Sequence, residues 1–322
     1  MKEIIIDKNE SEQRLDRFLK KYLSEAPQSF IYKMIRKKNI KVNEKRAKPE
    51  TTIIEGDVIK LYLSDETIDK FMAIPVEVKS KIIPNIIYED DNIILINKPA
   101  GILSHGAGDD FEENIVDSMI SYLIQKGDFV PRIEKTFTPS ICNRLDRNTS
   151  GIIIGAKNYQ SLKAINEAIR EGHIKRFYKT IVKGNFNKEI RAQAYLTKDE
   201  DRNKVEIHDM DLDGSKKIIT NMKPLKNKNG YTMLEIELIT GRTHQIRGHL
   251  ASLGYPVIGD RKYGNRVTNF KFNDEYELDN QLLHGYKVEF HGLTDEFEYL
   301  NGKSFTSELI GVSAEVSNEL FQ

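Results

Sequence analysis

The apolar residues of this 322-residue chain lie in short runs, and this pattern constrains the fold more than any other feature. β-Branched runs of strand length occupy 93–96 and 177–182, and Leu234, Ile236 and Leu238 alternate with glutamates. Amphipathic helical patterns lie among these runs without alternating strictly with them. The sequence therefore predicts an α+β fold built on a mixed, largely antiparallel sheet.

Glycines mark the ends of two predicted helices in this strand-rich part of the chain. One helical pattern begins near residue 162 and ends at Gly172, and a second, which Thr243 opens, ends at Gly254. Residues 265–280 are mostly polar and are interpreted as a surface insertion.

The start of the chain is predicted to form a small basic domain over residues 12–64, with two amphipathic helices and short strands. Residues 14–48 contain 12 Lys+Arg and 3 Asp+Glu, which gives a net charge of +9. Ser29 is predicted to cap the second helix. The apolar residues at helical spacing in the first helix are Leu15, Phe18, Leu19, Tyr22 and Leu23.

The remaining chain is divided into a linker and a larger domain. Residues 65–76 lack a clear period and contain turn formers, so we predict a linker there and a second domain over 77–322. Residues 273–322 carry 11 Asp+Glu and 2 Lys+Arg. The overall balance of 49 basic and 49 acidic residues therefore conceals a basic head, which is typical of a surface that contacts nucleic acid.

Cysteine usage and hydropathy indicate the compartment. The single cysteine, Cys142, cannot form an internal disulfide, and the apolar run at the N-terminus is too short for a secretory signal. We therefore expect a cytoplasmic protein. No apolar run approaches the roughly 18 residues that a membrane helix needs, so no membrane function is expected.

Charged and small hydroxylated residues crowd the segment 143–151, immediately before an apolar strand. Asp146 lies there between Arg144 and Arg147 in the sequence. Two arginines beside a carboxylate stabilise its charged form, which suits a nucleophile or a base. A salt-bridged turn is the alternative interpretation, because structural ion-pair networks also perturb carboxylates.

A second group of charged residues lies where the alternating strand ends and a helix begins. Free backbone N–H groups and the helix dipole favour anions at such a position, so Arg242, His244 and Arg247 can hold a phosphate there. An ordinary helix cap is the alternative. His244 and His249 are five residues apart, whereas two metal ligands on one helical face are four apart, so no metal site is expected.

Four further features are weaker signals. Residues 98–101 form a Lys-Pro-Ala-Gly turn, and residues 259–264 form a polar, glycine-shaped turn. Tyr178 stands near the start of a strand, where core packing is the alternative to stacking on a base. Cys142 is interpreted as a small buried residue.

These segments match a known family. Residues 143–151 resemble the R-L-D-x-x-T-S-G signature of the Rlu-type pseudouridine synthases, and residues 241–264 resemble their G-R-T-H-Q-I-R segment through to the final Y-G almost letter for letter. Residues 14–63 resemble the ribosomal-protein S-four type RNA-binding domain. The likeness covers about residues 12–300 and implies an RNA pseudouridine synthase that needs no cofactor, since the isomerisation conserves atoms and redox state.

The resemblance also implies roles for individual residues. Asp146 is implied to be the essential aspartate, which attacks or deprotonates the bound uridine, with Tyr178 packed on the uracil ring. Arg247 is expected to grip Asp146 through a two-bonded fork. The other implied substrate contacts are Arg144, Arg242, His244 and Leu283. The implied RNA contacts of the basic domain are Arg14, Arg17, Lys33, Arg36, Lys37 and Lys38.

Three positions depart from the family pattern. Asn143 stands where histidine is common, Gly106 where proline is usual, and Gly285 where alanine is usual. None of these changes removes a charge that the reaction needs.

Alternative functions are distinguishable by chemistry. A catalytically inactive RNA-binding protein does not require the carboxylate of Asp146, whereas a hydrolase needs a second carboxylate, such as Asp260. Hydrolysis releases free uracil, and isomerisation leaves the mass of the RNA unchanged. We expect ribosomal RNA, of the large subunit, as the substrate rather than tRNA.

Overall fold

In the computed structural model, which describes residues 1–72, 80–106, 112–131 and 136–321, the predicted apolar stripe is one face of helix α1 (Leu15–Tyr22). The stripe packs against Ile31 and Ile35 of helix α2 (Gln28–Arg36), and all of its members are buried. The capping prediction for Ser29 is wrong. Pro27 is the N-cap of α2 and Ser29 lies in the first turn; proline is tolerated at this position because an N–H there has no partner within the helix.

The small N-terminal unit combines these helices with a four-stranded sheet. The remaining elements of the unit are β1 (Lys2–Ile5), β2 (Gln13–Arg14), β3 (Ile40–Val42), β4 (Lys45–Arg46), β5 (Thr52–Ile53), β6 (Val58–Leu61) and α3 (Asp65–Phe71). The strand order of the sheet is β1-β6-β3-β4, with antiparallel pairing throughout, and β2 pairs with β5 separately.

The N-terminal unit extends beyond the predicted range of 12–64 at both ends. Strand β1 pairs with β6, and helix α3 places Ile68 in the same core, with 1% of its surface exposed. Ser64 caps α3 by accepting a hydrogen bond from the backbone N–H of Thr67, so the first half of the predicted linker is helical. Residues 73–76 of that linker, and the predicted domain start at 77, lie outside the described residues.

The larger unit is built on one sheet of eleven strands. The strands are β7 (Ile86–Glu89), β8 (Ile93–Lys98), β9 (Ser140–Ile141), β10 (Ser150–Ala156), β11 (Ile174–Lys183), β12 (Ile190–Asp199), β13 (Lys204–His208), β14 (Lys216–Lys228), β15 (Tyr231–Leu238), β16 (Leu283–Phe290) and β17 (Ser304–Thr306). Nine of them follow the order β13-β12-β14-β15-β11-β16-β10-β8-β7, while β17 pairs with β16 and β9 with β10.

The predicted α+β class with a mixed, largely antiparallel sheet is confirmed. In the described part of the chain β10 and β16 run parallel, and the other paired strands are antiparallel. The helices of this unit are α4 (Ile115–Lys126), α5 (Tyr159–Glu171), α6 (Gln245–Ser252), α7 (Arg266–Tyr276) and α8 (Val312–Phe321), with a 3₁₀ turn over Asp295–Leu300. Among the described residues, every helix is too short or too polar to cross a bilayer.

Glycines act as expected at the helix ends. Gly172 caps α5 in the left-handed conformation, and Gly254, with φ of +85°, follows Leu253, the C-cap of α6. The predicted start of the second helix, at Thr243, is two residues too early. Helix α6 begins at Gln245, directly after His244.

The interpretation of residues 265–280 as a polar surface insertion is wrong in part. They contain α7, whose Phe272 is only 1% exposed and packs with Leu278 and Leu282. One buried aromatic in a polar helix produces almost no periodic signal, which explains why the sequence pattern did not indicate the helix.

Candidate active site

A pocket of about 600 Å³ opens where the loop before β10, the loop after β15 and the adjoining parts of β11 and β16 meet. Among the described residues that line it, Asp146 is the only acidic one. Five arginines share the lining: Arg144, Arg170, Arg176, Arg242 and Arg247. Such a pocket suits a polyanionic ligand that must meet a single carboxylate.

The carboxylate of Asp146 is held by an arginine from across the fold. Arg247 of α6 places its Nη1 atom 2.8 Å from Oδ2 of Asp146. The two arginines that flank Asp146 in the sequence do not do this. Arg144 and Arg147 are exposed, and Arg147 pairs with Glu112 instead. The direct ion pair of Asp146 is therefore with Arg247 and not with its sequence neighbours: Arg147 pairs elsewhere, and Arg144 is exposed in the pocket lining.

The two-bonded fork of Arg247 binds Asp260 rather than Asp146. Its Nε lies 2.6 Å from Asp260 Oδ2 and its Nη2 lies 2.9 Å from Oδ1, whereas Asp146 receives a single bond, from Nη1. Asp260 is 1% exposed, and its Oδ1 also accepts the backbone N–H groups of Lys262 and Tyr263. The expected double grip on Asp146 is corrected accordingly.

Electrostatics at this buried pair agree with the geometry. Burial alone would raise the pKa of Asp260, but the hydrogen bonds and charge of Arg247 outweigh it and hold that pKa below its usual value. Helix α7 supports the same loop, since the Asn269 side chain binds the Gly259 N–H and the Asp260 carbonyl at 2.9 and 2.8 Å. The supposed surface insertion therefore holds the partner of Arg247 in place.

The start of α6 was expected to offer free N–H groups to an anion, but one nearby backbone N–H group is already hydrogen-bonded within the protein. His244 is its N-cap, with φ of +51°, and the Gln245 side chain already accepts the backbone N–H of Arg242. Three of the five N–H groups of Arg247 already bind Asp260 and Asp146, so two carboxylates rather than a phosphate balance its charge. Arg242 remains exposed at the rim of the pocket.

Tyr178 and Leu283 form an apolar wall of the pocket. They are 6% and 4% exposed, and they belong to the neighbouring strands β11 and β16. Burial raises the pKa of the Tyr178 phenol. A Cβ atom at Gly285 would lie 3.2 Å from the Tyr178 ring, so glycine at this position leaves the ring more room than alanine would.

Lys98 supports the loop that carries Asp146, a contribution that the sequence did not indicate. It is fully buried, and its Nζ donates to the carbonyls of Pro99, Ile102 and Arg147 at 2.7 to 2.8 Å. Burial lowers its pKa to about 7, although the charge of Asp146 opposes the shift. The sequence signal that could have indicated this role is a lysine at the end of a largely apolar strand.

Two polar residues of the pocket wall are structural. Asn143 is buried and bridges the backbone of Ile152 and Ile154, which fastens the loop to β10. Cys142 is partly exposed by surface area, and burial of its thiol raises its pKa to about 12, so it is not a nucleophile at neutral pH.

The six cations implied as RNA contacts in the N-terminal unit are all exposed. They lie on α1, on α2 and at their ends: Arg14, Arg17, Lys33, Arg36, Lys37 and Lys38. Arg14 differs from the others because it pairs with Asp16 at 2.7 Å, which neutralises part of its charge locally.

Comparisons with known proteins agree with this architecture. The RNA pseudouridylate synthase family model matches residues 92–252, and the S4 domain model matches residues 13–59. An uncharacterized RNA pseudouridine synthase of Mycoplasma capricolum is 32% identical over 94% of this chain and 96% of its own length. The ribosomal large subunit pseudouridine synthase C of Vibrio parahaemolyticus is 30% identical over 92% of this chain and 90% of its own.

A solved structure shows the same fold. The human RNA pseudouridylate synthase domain containing 4 matches 73% of this chain and 92% of its own, with a TM-score of 0.55 and 19% identity. The fold and the sequence likeness together define an RNA-modifying isomerase. The chain belongs to the RNA pseudouridylate synthase family and converts uridine in RNA to pseudouridine.

Proposed function

We propose that this enzyme isomerises uridines of large-subunit ribosomal RNA in the cytoplasm and that Asp146 is its essential carboxylate. The observation that carries the proposal is a pocket in which Asp146 is the only acidic side chain among the described lining residues, surrounded by five arginines. The ribosomal substrate is inferred from relatives such as the Vibrio parahaemolyticus protein, which is named for the large ribosomal subunit.

The proposed reaction breaks one bond and forms another within the same nucleotide. The bond from ribose C1′ to N1 of uracil breaks, the base turns, and C1′ joins C5. The proton of C5 passes to solvent and N1 gains one, so the mass is unchanged. Arg247 contacts Oδ2 of Asp146, which leaves Oδ1 to attack or deprotonate the uridine. No cofactor is required for these steps.

The other pocket residues are proposed to hold the nucleotide. Tyr178 and Leu283 supply an apolar surface for the uracil ring, and both are buried at the pocket wall. Arg144 and Arg242 are exposed there and are proposed to bind phosphates, and His244 contacts the nucleotide. The target base must leave its stack to enter such a pocket.

The N-terminal unit is proposed to add affinity without chemistry. The six exposed cations on and beside α1 and α2 supply phosphate contacts, which dominate nucleic-acid affinity in general. In this proposal the RNA-binding domain comprises the residues up to 72, and the catalytic domain comprises the described residues from 80 onward.

A hydrolase is the less favoured alternative, because the second carboxylate it requires is occupied. Asp260 gives both of its oxygens to Arg247, and it does not line the pocket.

Mapping pseudouridines in RNA from cells with and without this gene tests the substrate. We expect at least one large-subunit ribosomal position to lose its pseudouridine. A loss confined to tRNA would overturn the ribosomal assignment and leave the chemistry intact.

A further inference from the structure

Tyr263 contacts two side chains that lie beside Asp146, His244 and Arg247. Its hydroxyl lies 2.9 Å from Nδ1 of His244, and its ring meets the His244 ring edge-on with 5.6 Å between centroids. The Arg247 guanidinium carbon lies 5.3 Å from the centre of the same ring. One tyrosine therefore packs against both neighbours of the reactive carboxylate.

The hydroxyl of Tyr263 has a second partner that determines the direction of its hydrogen bonds. The backbone N–H of Val205, on β13, donates to it at 2.8 Å. Strand β13 packs closely on α6, because a Cβ atom at Gly248 would lie 2.8 Å from the Val205 side chain. The donor is therefore fixed by the packing of the β12–β13 hairpin against the helix.

These contacts assign the tautomer of His244. The phenol has one proton, and its oxygen already accepts from Val205. Among the described residues the hydroxyl forms hydrogen bonds with Val205 and His244 alone, so its own proton goes to Nδ1. A proton on Nδ1 would instead leave the phenol proton without an acceptor. A neutral His244 consequently carries its proton on Nε2.

Burial keeps this ring neutral. His244 is only 9% exposed, and its pKa is lowered by burial and by the charges of Arg247 and Lys262, against the opposing charges of Asp146 and Asp260. Its Nε2 lies 4.0 Å from Oδ2 of Asp146 at the edge of the pocket. That distance is too long for a hydrogen bond, so the Nε2–H group is available to another acceptor.

We propose that Tyr263 is a positioning residue that fixes His244 as a neutral Nε2–H donor to an oxygen of the nucleotide bound against Asp146. Both uracil and ribose present oxygen acceptors to such a donor. The inference rests on the proposed function, since it requires a uridine beside Asp146. It adds a hydrogen-bond donor to a pocket wall on which the arginines supply charge.

The tautomer is measurable in the free enzyme, independently of any RNA. Nitrogen-15 NMR of histidine-labelled protein distinguishes the two ring nitrogens, and the spectrum of His244→Gln identifies the His244 signals by their loss. We expect the full-length enzyme to show Nε2 protonated and Nδ1 unprotonated at neutral pH. Tyr263→Phe should give a mixture of tautomers. A wild-type His244 protonated on Nδ1 would overturn the inference.

Turnover provides the second test. At saturating enzyme, Tyr263→Phe should lower the single-turnover rate about tenfold with little change in RNA affinity, the size expected for one misplaced hydrogen bond. Tyr122→Phe is a matched control, since its hydroxyl bonds Glu89 at 2.8 Å outside the pocket, and its rate should stay unchanged. An unchanged rate in Tyr263→Phe would overturn the positioning role.

Two substitutions of His244 keep the test decisive if Tyr263→Phe does not fold. The amide nitrogen of glutamine reaches the position of Nε2, whereas that of asparagine reaches Nδ1. His244→Gln should therefore retain at least several-fold more activity than His244→Asn, although asparagine tolerates the φ of +51° better. Equal or greater activity in His244→Asn would contradict the donor role. Wild-type turnover on RNA separately tests the proposed function.

Discussion

Replacing Asp260 by asparagine tests the support of the active site. Asp260 is 1% exposed and receives four hydrogen bonds, two from Arg247 and two from the backbone N–H groups of Lys262 and Tyr263. Asparagine replaces one acceptor oxygen by an NH₂ donor. If the remaining oxygen keeps the three contacts of Oδ1, the NH₂ group faces Nε of Arg247, and that bond becomes a donor–donor contact.

The magnitude follows from the burial of the pair. Breaking a buried ion pair by removing one partner costs about 3 to 5 kcal/mol. The carboxylate of Asp146 still neutralises Nη1 of Arg247, which is 2.8 Å away, so we expect the lower end, about 3 kcal/mol of unfolding free energy. The single-turnover rate should fall about 100-fold, because the misplaced guanidinium no longer orients Asp146.

Two assays measure these effects. Urea unfolding gives the stability, and single-turnover conversion of uridine at saturating enzyme gives the rate. Asp279→Asn is the matched control: its carboxylate binds Arg261 at 2.6 Å, but the two side chains are 63% and 70% exposed. That exposed pair should contribute little to stability. Wild-type stability and turnover in Asp260→Asn would refute the reasoning.

Three further predictions follow from the same geometry. Arg247→Lys should lose most single-turnover activity, since an ammonium cannot span two carboxylates. Arg242→Lys should retain more activity than Arg247→Lys, and greater loss in Arg242→Lys would contradict the roles proposed. The double change Lys37→Gln with Lys38→Gln should lower the slope of log K against log salt by about 0.7 to 0.9 per lost phosphate contact, and an unchanged slope would place the RNA elsewhere. Burial lowers the pKa of His249 to about 4 in the folded protein. The unfolded chain therefore binds this proton at a higher pH, near about 6.5, than the folded one does. The free energy of unfolding should fall by up to about 3 kcal/mol as the pH drops from about 6.5 to about 4. Urea unfolding of His249→Asn should show a flatter acid limb, and an unaltered limb would refute this assignment.

The sequence predicted the elements whose side chains repeat with a clear period. The stripe of α1 and the alternating strand β15 formed as expected, because each buries one face against a core. Helix α3, inside the predicted linker, contributes one fully buried residue, Ile68, and α7 contributes Phe272, so neither produces a periodic pattern. A helix that buries a single apolar side chain and is capped by a polar one is therefore not predicted from periodicity.

The contacts of the site were predictable only where a motif names them. The pairing of Arg247 with Asp146 joins residues 101 positions apart, and it was expected from the family resemblance alone. The stronger fork to Asp260, and the burial of Lys98 beneath the Asp146 loop, depend on backbone positions that no spacing encodes. Local patterns specify which face is buried, whereas the partner of a buried charge is fixed by the assembled fold.

The central claim is that Asp146 carries out uridine isomerisation in this pocket. The most direct measurement uses RNA whose uridines carry tritium at carbon 5, which passes to water when C1′ joins C5. The wild-type enzyme should release tritium while the uracil stays attached to the RNA, and Asp146→Asn should release none while it still binds RNA and unfolds at the same urea concentration. Release near the wild-type rate by Asp146→Asn, or free uracil in place of tritiated water, would contradict the account.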